Sequence, residues 1–529
     1  MRINGYLLRS SIVAALGGFL FGFDTVVISG AEQTIQALWG LSPTLHGLAM
    51  GAALYGTVLG SLVGGWPADR FGRKKTLFFI GLLYILSAVG CGLASGVGMF
   101  ITARLIGGLG IGISTVVAPM YISEIAPPAY RGRLAGMFQF NIVFGIVISF
   151  ASNAVIARIG GEDAWRWMLG IAAIPSLVYA LMCLGLPESP RWLICRKGDR
   201  AAGIRVLQLI EPDVAPDQLK THADELLAAA RSEQAAVSGF WSWRLRVPIL
   251  LALLVAFFNQ LSGINAVLYF APRIFEMTGL GKEAALLQSV GIGVTNLIFT
   301  FVGLWLIDRL GRRTLLYIGS FGYILSLGLC AFAFLHWAPQ FKVASTASTL
   351  IQMTAKVEKA GASERAKVET DFAKAKADLT RASADTGYTP GPVAIPKEAT
   401  PAAIKQLAEE ALVGASQAAG SGGLMVMLCL FAFIAAHAVG QGTVIWVLIS
   451  EIFPNRHRAE GQVLGSFTHW VFAALLTTFF PNMVAAFAPG YIFLFFCGMM
   501  VLQLVWVALM VPETKGISLE AIQRKLGIE

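Results

Sequence analysis

Long uninterrupted apolar stretches dominate the chain, rather than strict alternation or amphipathic periodicity. Twelve of them lie at roughly 8–30, 47–66, 76–97, 99–121, 134–157, 166–186, 248–272, 284–307, 314–335, 423–448, 462–487 and 490–511. Each approaches the roughly 20 residues that a helix needs to cross the hydrocarbon core of a bilayer. Strands of a membrane barrel would alternate apolar and polar positions, so these continuous runs predict helices. The first run lacks a small-residue cleavage site and continues through Gly22-Phe23-Asp24, which marks it as a span and not a signal peptide. The pattern predicts an all-α integral membrane fold.

The polar breaks between the runs repeat. Asp69-Arg70-Phe71-Gly72-Arg73-Lys74 returns as Asp308-Arg309-Leu310-Gly311-Arg312-Arg313. Ile122-Ser123-Glu124-Ile125 returns as Ile449-Ser450-Glu451-Ile452, and Pro187-Glu188-Ser189 as Pro512-Glu513-Thr514. A charged turn placed twice in an oily chain, followed by two further pairs in the same order, is the mark of a duplicated membrane unit. Secondary transporters are built from such repeats. The expected architecture is two pseudo-symmetric six-helix bundles, 1–186 and 248–529, joined by a linker at 187–247 that carries amphipathic pieces at Ala201 to Ile210 and Gln218 to Ala230.

The repeats also locate an insertion. From Asp69 to Glu124 is 55 residues, but from Asp308 to Glu451 is 143, whereas the later spacings, 64 and 62, agree. The excess of 88 falls on 336–421, a stretch rich in Ala, Lys, Glu and Asp. Its 350–384 part has helix-forming composition, Tyr388-Thr389-Pro390-Gly391-Pro392 breaks it, and 400–418 is expected to be helical again.

Charge supports this topology. The chain has 529 residues, 56% hydrophobic and 13% charged, against about 25% charged in soluble proteins. The net charge of +9 gathers in alternate connections, at Arg70 to Lys75, Arg131 and Arg133, Arg191 to Arg246, Arg309 to Arg313, and Arg456 and Arg458. By the positive-inside rule both termini and 187–247 face the cytoplasm, and 336–421 faces outside. The basic balance therefore reflects topology and no nucleic-acid partner. Six scattered cysteines without CxxC spacing are read as packing residues.

Three groups of residues stand out chemically. The charged turns bring Asp69, Arg70, Arg73, Glu124 and Arg131, and their counterparts Asp308, Arg309, Arg312, Glu451 and Arg458, to the cytoplasmic mouths of neighbouring helices. Pairs among them are expected to latch the halves shut in one conformation and part in the other; the plainer alternative is that they set topology and pack loops. Asp24 lies inside the first span, where a carboxylate is costly without a partner or a cavity, and Arg104 inside the fourth span is its expected partner. Paired, the carboxylate stays ionised; parted from Arg104 in a dry pocket, it takes up a proton, which is what proton coupling requires. A static buried pair is the alternative.

The third group is a run of amides on the seventh span, Asn259-Gln260-Leu261-Ser262-Gly263-Ile264-Asn265. Amides in a membrane need partners, and a ring of amide donors and acceptors suits a neutral polyhydroxylated ligand. Gln139 and Asn296 are expected to converge with them, and Trp446, His469 and Trp470 to offer aromatic faces to a sugar ring. Each one singly also serves helix packing. No phosphate-binding loop, clustered metal ligands or nucleophile motif occurs, so neither cofactor, metal nor enzymatic activity is expected.

Taken together, these segments resemble the sugar porter family of the major facilitator superfamily. The resemblance rests on Gly22 to Gly30, both charged turns, Pro187 to Leu193, Gln260 to Asn265, Trp446 to Pro454 and Pro512 to Gly516, and covers nearly the whole chain outside 336–421. It implies alternating access around a central sugar site, with Gln139, Asn259, Gln260, Asn265, Asn296 and Trp446 contacting sugar and Phe21, Tyr269, Gly442, His469 and Trp470 nearby. It also implies proton coupling through Asp24 and Arg104. Three positions depart from the family pattern: Asn259 replaces the usual Gln, Thr443 a usual Pro, and His469 a usual amide. The expected function is monosaccharide:proton symport in the cytoplasmic membrane by a monomer, with a uniporter, a polyol or inositol carrier, or a sugar sensor as alternatives.

Overall fold

The computed structural model describes residues 4–127, 130–235, 239–359, 365–385, 388, 391–396, 399–454, 457–517 and 519–528. Twelve helical spans are long and apolar enough to cross a membrane among these residues. They are spans 1 (Gly5–Gly30), 2 (Pro43–Val63), 3 (Arg73–Gly92), 4 (Val97–Ile125), 5 (Gly136–Ile159) and 6 (Gly161–Leu184), followed by 7 (Trp243–Glu276), 8 (Lys282–Leu310), 9 (Arg312–His336), 10 (Gly422–Ile452), 11 (Arg458–Ala486) and 12 (Pro489–Met510). All twelve expected runs are helical. The charged turns join spans 2 to 3 and 8 to 9, and the 336–421 insertion joins spans 9 to 10. With successive spans running in opposite directions, both turns lie at one face and the insertion at the other.

Each charged turn is made by a glycine. Gly72 (φ 95°) and Gly311 (φ 92°) adopt a backbone conformation that side-chain-bearing residues rarely enter. A Cβ at Gly72 would lie 2.2 Å from Glu188 Oε2, and one at Gly311 would lie 2.5 Å from Glu513 Oε2. The third repeated element, Pro187-Glu188-Ser189 and its copy, thus packs directly on the first.

Small residues let the spans approach closely. A Cβ at Gly56 of span 2 would sit 2.2 Å from the Leu105 carbonyl of span 4, and one at Gly22 of span 1 would sit 1.8 Å from the Ile142 carbonyl of span 5. The same device joins the halves at the face opposite the charged turns. There Gly47 of span 2 abuts the Thr478 carbonyl of span 11, and Tyr55 OH lies 3.0 Å from Thr478 Oγ1.

The linker holds helices Pro190–Cys195, Arg200–Ile210 and Pro216–Ala235. Ser189 and Asp199 cap the first two by accepting from Trp192 N (3.1 Å) and Ala202 N (3.0 Å). The insertion forms three helices, Ala338–Lys359, Arg365–Ala384 and Pro401–Ala419. Its first helix begins twelve residues earlier than the 350 expected from composition. The reason is an apolar stripe at helical spacing, Val343, Ala344, Ala347 and Leu350, buried with Leu379, Ile404 and Ala408 in a core of its own. Thr389 and Pro390 of the expected breaker lie outside the described residues.

Candidate functional site

A buried charged pair joins spans 1 and 4. Arg104 Nη1 donates to Asp24 Oδ1 at 2.9 Å, and Nη2 reaches the Asp24 carbonyl at 3.3 Å. The two residues are 1% and 7% exposed, so the pair is held away from water. Asp24 Oδ2 has no hydrogen-bond partner among the described residues. Tyr269 of span 7 is fully buried and lies within electrostatic reach of both Asp24 and Arg104. This tyrosine therefore belongs to the carboxylate site as much as to the amide site.

Span 7 is broken where the amides stand. Helix Arg246–Leu261 ends, Gly263 turns through the left-handed region (φ 88°), and helix Ile264–Glu276 begins. A Cβ at Gly263 would meet the Phe496 ring at 2.7 Å, so both conformation and space require glycine. The break sets Asn259 and Gln260 at the end of one piece and Asn265 at the start of the next. Gln260 is the hub: its Nε2 donates to Asn259 Oδ1 (2.9 Å), and its Oε1 accepts from Asn265 Nδ2 (2.6 Å). Gln260 Nε2 also lies 3.1 Å from His469 Nε2 and 3.2 Å from Nδ1, close enough to donate to one of them. The shorter Asn259 thus spends its acceptor on a neighbouring amide, and His469 is an amide partner.

Aromatic rings wall this cluster. Trp446 and His469 have centroids 5.3 Å apart, His469 and Trp470 4.7 Å, and Trp470 and Phe21 5.6 Å. The row crosses from span 10 through span 11 to span 1. Span 10 is itself two helices, Gly422–Val439 and Gln441–Ile452. Thr443 Oγ1 donates to the Ala438 carbonyl at 2.6 Å, so the break persists where the family has proline. Gln462 Nε2 fixes the second piece by donating to the Trp446 carbonyl at 2.9 Å. A Cβ at Gly442 would lie 3.1 Å from the His437 carbonyl, placing this glycine against the first piece. Asn296 of span 8 is 8% exposed, and Gln139 of span 5 is half-buried; neither hydrogen-bonds to the Gln260 hub.

The charged turns form two matching clusters. Arg73 donates to both oxygens of Glu124 at 2.9 Å each, and through Nη1 to Asp69 and to the Ala68 carbonyl, both at 3.0 Å. Arg312 likewise spans Glu451 at 3.1 and 2.8 Å, with Asp308 at 3.2 Å and the Ile307 carbonyl at 3.1 Å. Both clusters close within their own half: among the described residues, none of their ion pairs runs from one half to the other. Arg70 is exposed and Arg309 lies over the Trp305 ring at 3.9 Å, so Arg73 and Arg312 are the organising cations. Arg458 is half-buried with an unpartnered Nε, and the Arg131 side chain lies outside the described residues.

Two carboxylates that were not among the expected site residues complete these clusters. Glu188 Oε1 accepts from the backbone N–H of Arg73 (2.8 Å), Lys74 (3.1 Å) and Ser189 (2.8 Å). Glu513 accepts from the backbone N–H of Arg312, Arg313, Thr514 and Lys515 at 2.9–3.1 Å. Burial raises the Glu188 carboxyl above its usual range despite those bonds. For Glu513 burial also pulls upward, but four backbone donors outweigh it and hold the carboxyl below its usual range. Their duplication in the sequence was the signal that marks them.

A family model described as "Sugar (and other) transporter" matches residues 10–355 and 403–526 and passes over the middle of the insertion. The chain is 31% identical over 526 residues to the arabinose-proton symporter of Bacillus subtilis, covering 98% of this chain and 95% of that protein. It is 28% identical over 558 residues to the D-xylose-proton symporter of Escherichia coli, covering 98% and 96%. The partially occluded inward-open structure of the xylose transporter XylE from Escherichia coli superposes with a TM-score of 0.69 at 27% identity, covering 97% of this chain and all of that one.

Proposed function

We propose that this chain, which belongs to the sugar porter family of the major facilitator superfamily, carries a monosaccharide inward together with a proton by alternating access. The observation that carries this reading is the buried Asp24–Arg104 pair, tied through Tyr269 to the helix that bears the amide hub. Asp24 is the proton carrier in this reading and Arg104 its partner, so that proton binding and release accompany the parting and re-forming of the pair. Gln260, Asn259 and Asn265 exchange bonds among themselves for bonds to sugar hydroxyls, and the Trp446, His469, Trp470 and Phe21 rings face the sugar's C–H surfaces. Coupling requires that sugar and proton favour the same conformational step. Both ligands act on neighbouring parts of spans 1, 4 and 7.

In this reading the bilayer is the cytoplasmic membrane, and the chain works as a monomer with domains 1–186 and 248–529 joined by 187–247. Charged turns, linker and both termini face the cytoplasm, with the three-helix insertion outside. The Arg73 and Arg312 clusters make the cytoplasmic end of each half rigid. They meet as a gate when that side closes.

Uptake of a panel of labelled pentoses, hexoses and polyols into proteoliposomes, with and without an inward proton gradient, tests this. Wild type is expected to accumulate at least one monosaccharide only with the gradient, and Asp24→Asn to lose accumulation while retaining sugar exchange. Gradient-independent equilibration in wild type would instead identify a uniporter.

A further inference from the structure

Resting on that alternating-access reading, we propose that Glu32, His46 and Arg273 form a latch that shuts the extracytoplasmic mouth and positions the proton-carrying and sugar-carrying helices against each other. Glu32 sits on the short helix Glu32–Leu38 just after span 1, and His46 sits on span 2. Arg273 belongs to span 7, in the other half. Arg273 Nε donates to Glu32 Oε1 at 2.9 Å and Nη2 to Oε2 at 2.7 Å, a two-pronged bond. His46 Nε2 lies 2.9 Å from the same Oε2, and Arg273 Nη2 also donates to Gln36 Oε1 at 2.6 Å. The Glu32 and His46 side chains are 0% exposed and that of Arg273 is 18% exposed.

Among the described residues only one other ion pair links the halves, Arg158 to Glu283, at 3.8 Å with side chains 60% and 70% exposed. Such a pair in water contributes little. The Glu32 pair is therefore the buried charge contact that outward opening must break. Burial opposes ionisation of Glu32, but Arg273 and the hydrogen bonds from His46 and Arg273 outweigh it and hold the carboxyl below its usual range. Beside it, Lys282 Nζ donates to Thr34 Oγ1 at 3.1 Å, a further contact between the halves.

Placement connects this latch to transport. Glu32 follows Asp24 by eight residues and Arg273 follows Asn265 by eight. Between Asn265 and Arg273, Phe270 leaves helical geometry (φ −116°, ψ 20°) ahead of Pro272, which cannot complete the helical ladder there. The outer piece of span 7 is thus jointed, with Arg273 on the far side of the joint. Phe270 stacks on Phe480 of span 11 at 4.8 Å and lies edge-on to His46 at 6.3 Å. Displacement at either ligand site passes along one short segment to one member of the ion pair.

The test reads closure directly. Thr44 Oγ1 and Asn482 Oδ1 lie 3.1 Å apart across the same mouth. In the full purified chain carrying Cys195→Ser, the other five cysteines being buried, the pair Thr44→Cys and Asn482→Cys reports closure by its oxidative cross-linking rate. Adding Glu32→Gln or Arg273→Gln is expected to slow cross-linking by roughly fivefold or more. Arg158→Gln, which breaks the exposed pair, is expected to leave the rate unchanged. Should Glu32→Gln not yield folded protein, Arg273→Lys is read in the same assay and is expected to give a smaller slowing. An unchanged rate in the latch variants, or equal slowing by Arg158→Gln, overturns the proposal. Because the rate needs no sugar or gradient, it stands even if the symport reading fails.

Discussion

Arg104 binds Asp24 twice, through the carboxylate at 2.9 Å and through the residue's own carbonyl at 3.3 Å. The second contact fixes the backbone of span 1 as well as the side chain, so loss of Arg104 does more than unpair a charge. Arg104→Leu leaves the carboxylate buried and unpaired, a change that typically costs about 3–5 kcal/mol. The double variant Asp24→Asn with Arg104→Leu removes both charges and is expected to regain more than half of that loss. Thermal unfolding in detergent of the two single variants and the double variant measures the coupling. Strict additivity of the three would mean that the pair does not interact.

The two charged turns make a matched prediction. Gly72→Ala and Gly311→Ala each place a Cβ at positive φ and within 2.5 Å of a glutamate oxygen. Backbone strain alone is of order 1–3 kcal/mol, and the displaced carboxylate also loses backbone N–H bonds. Both variants are expected to melt earlier than wild type. Gly65→Ala, where a Cβ meets nothing within 4 Å, is expected to melt as wild type does.

These turns could be read in the sequence because Asp, Arg and Gly are conspicuous in apolar surroundings and recur at matched spacing. The Asp24–Arg104 pair was readable for the same reason: each charge stands alone in a span, and each needs a partner. The outer latch was not. Glu32 and Arg273 lie at the ends of apolar runs, where charged residues usually meet water, and only the meeting of spans 2, 7 and 11 buries them. The hub role of Gln260 was hidden as well, because the Gly263 break decides which amides face each other and a flanking pattern of apolar residues does not encode that geometry. The residues of the Arg73 and Arg312 clusters stood out in the sequence as repeated charges, but spacing alone does not tell that each arginine pairs within its own half.

Gln260 offers the sharpest separation of binding from folding. Its side chain holds Asn259 and Asn265 and lies against His469, so Gln260→Ala leaves two buried amides short of partners. Such groups each cost about 1–3 kcal/mol when left unmade, and a sugar hydroxyl loses its contact too. Sugar affinity is expected to fall at least roughly tenfold. Fluorescence titration is a suitable readout, since Trp446 and Trp470 flank the cluster. Unchanged affinity in a folded variant would remove Gln260 from the sugar site.

Glu188 and Glu513 occupy equivalent places in the repeat and yet are expected to respond oppositely to pH. The folded-state value of Glu513 is depressed, so its contribution is present above the ordinary value of 4.5 and is lost as pH falls through the folded value. Glu188 is raised by burial, so its favourable contribution is complete below the ordinary value and is lost as pH rises through the folded one. At pH 7 the charge on Glu513 therefore stabilises the fold and the charge on Glu188 does not. Glu513→Gln is expected to lower the melting temperature at pH 7, with the difference from wild type shrinking as the pH drops below about 4.5. Glu188→Gln keeps a carbonyl acceptor for the three backbone donors without the buried charge, and is expected to melt at or slightly above wild type at pH 7. Melting curves of wild type and both variants across pH 3.5–8 (roughly the window set by ordinary carboxyl values) decide it. Parallel behaviour of the two variants would show that the repeat's symmetry, and not the local burial, governs the charge.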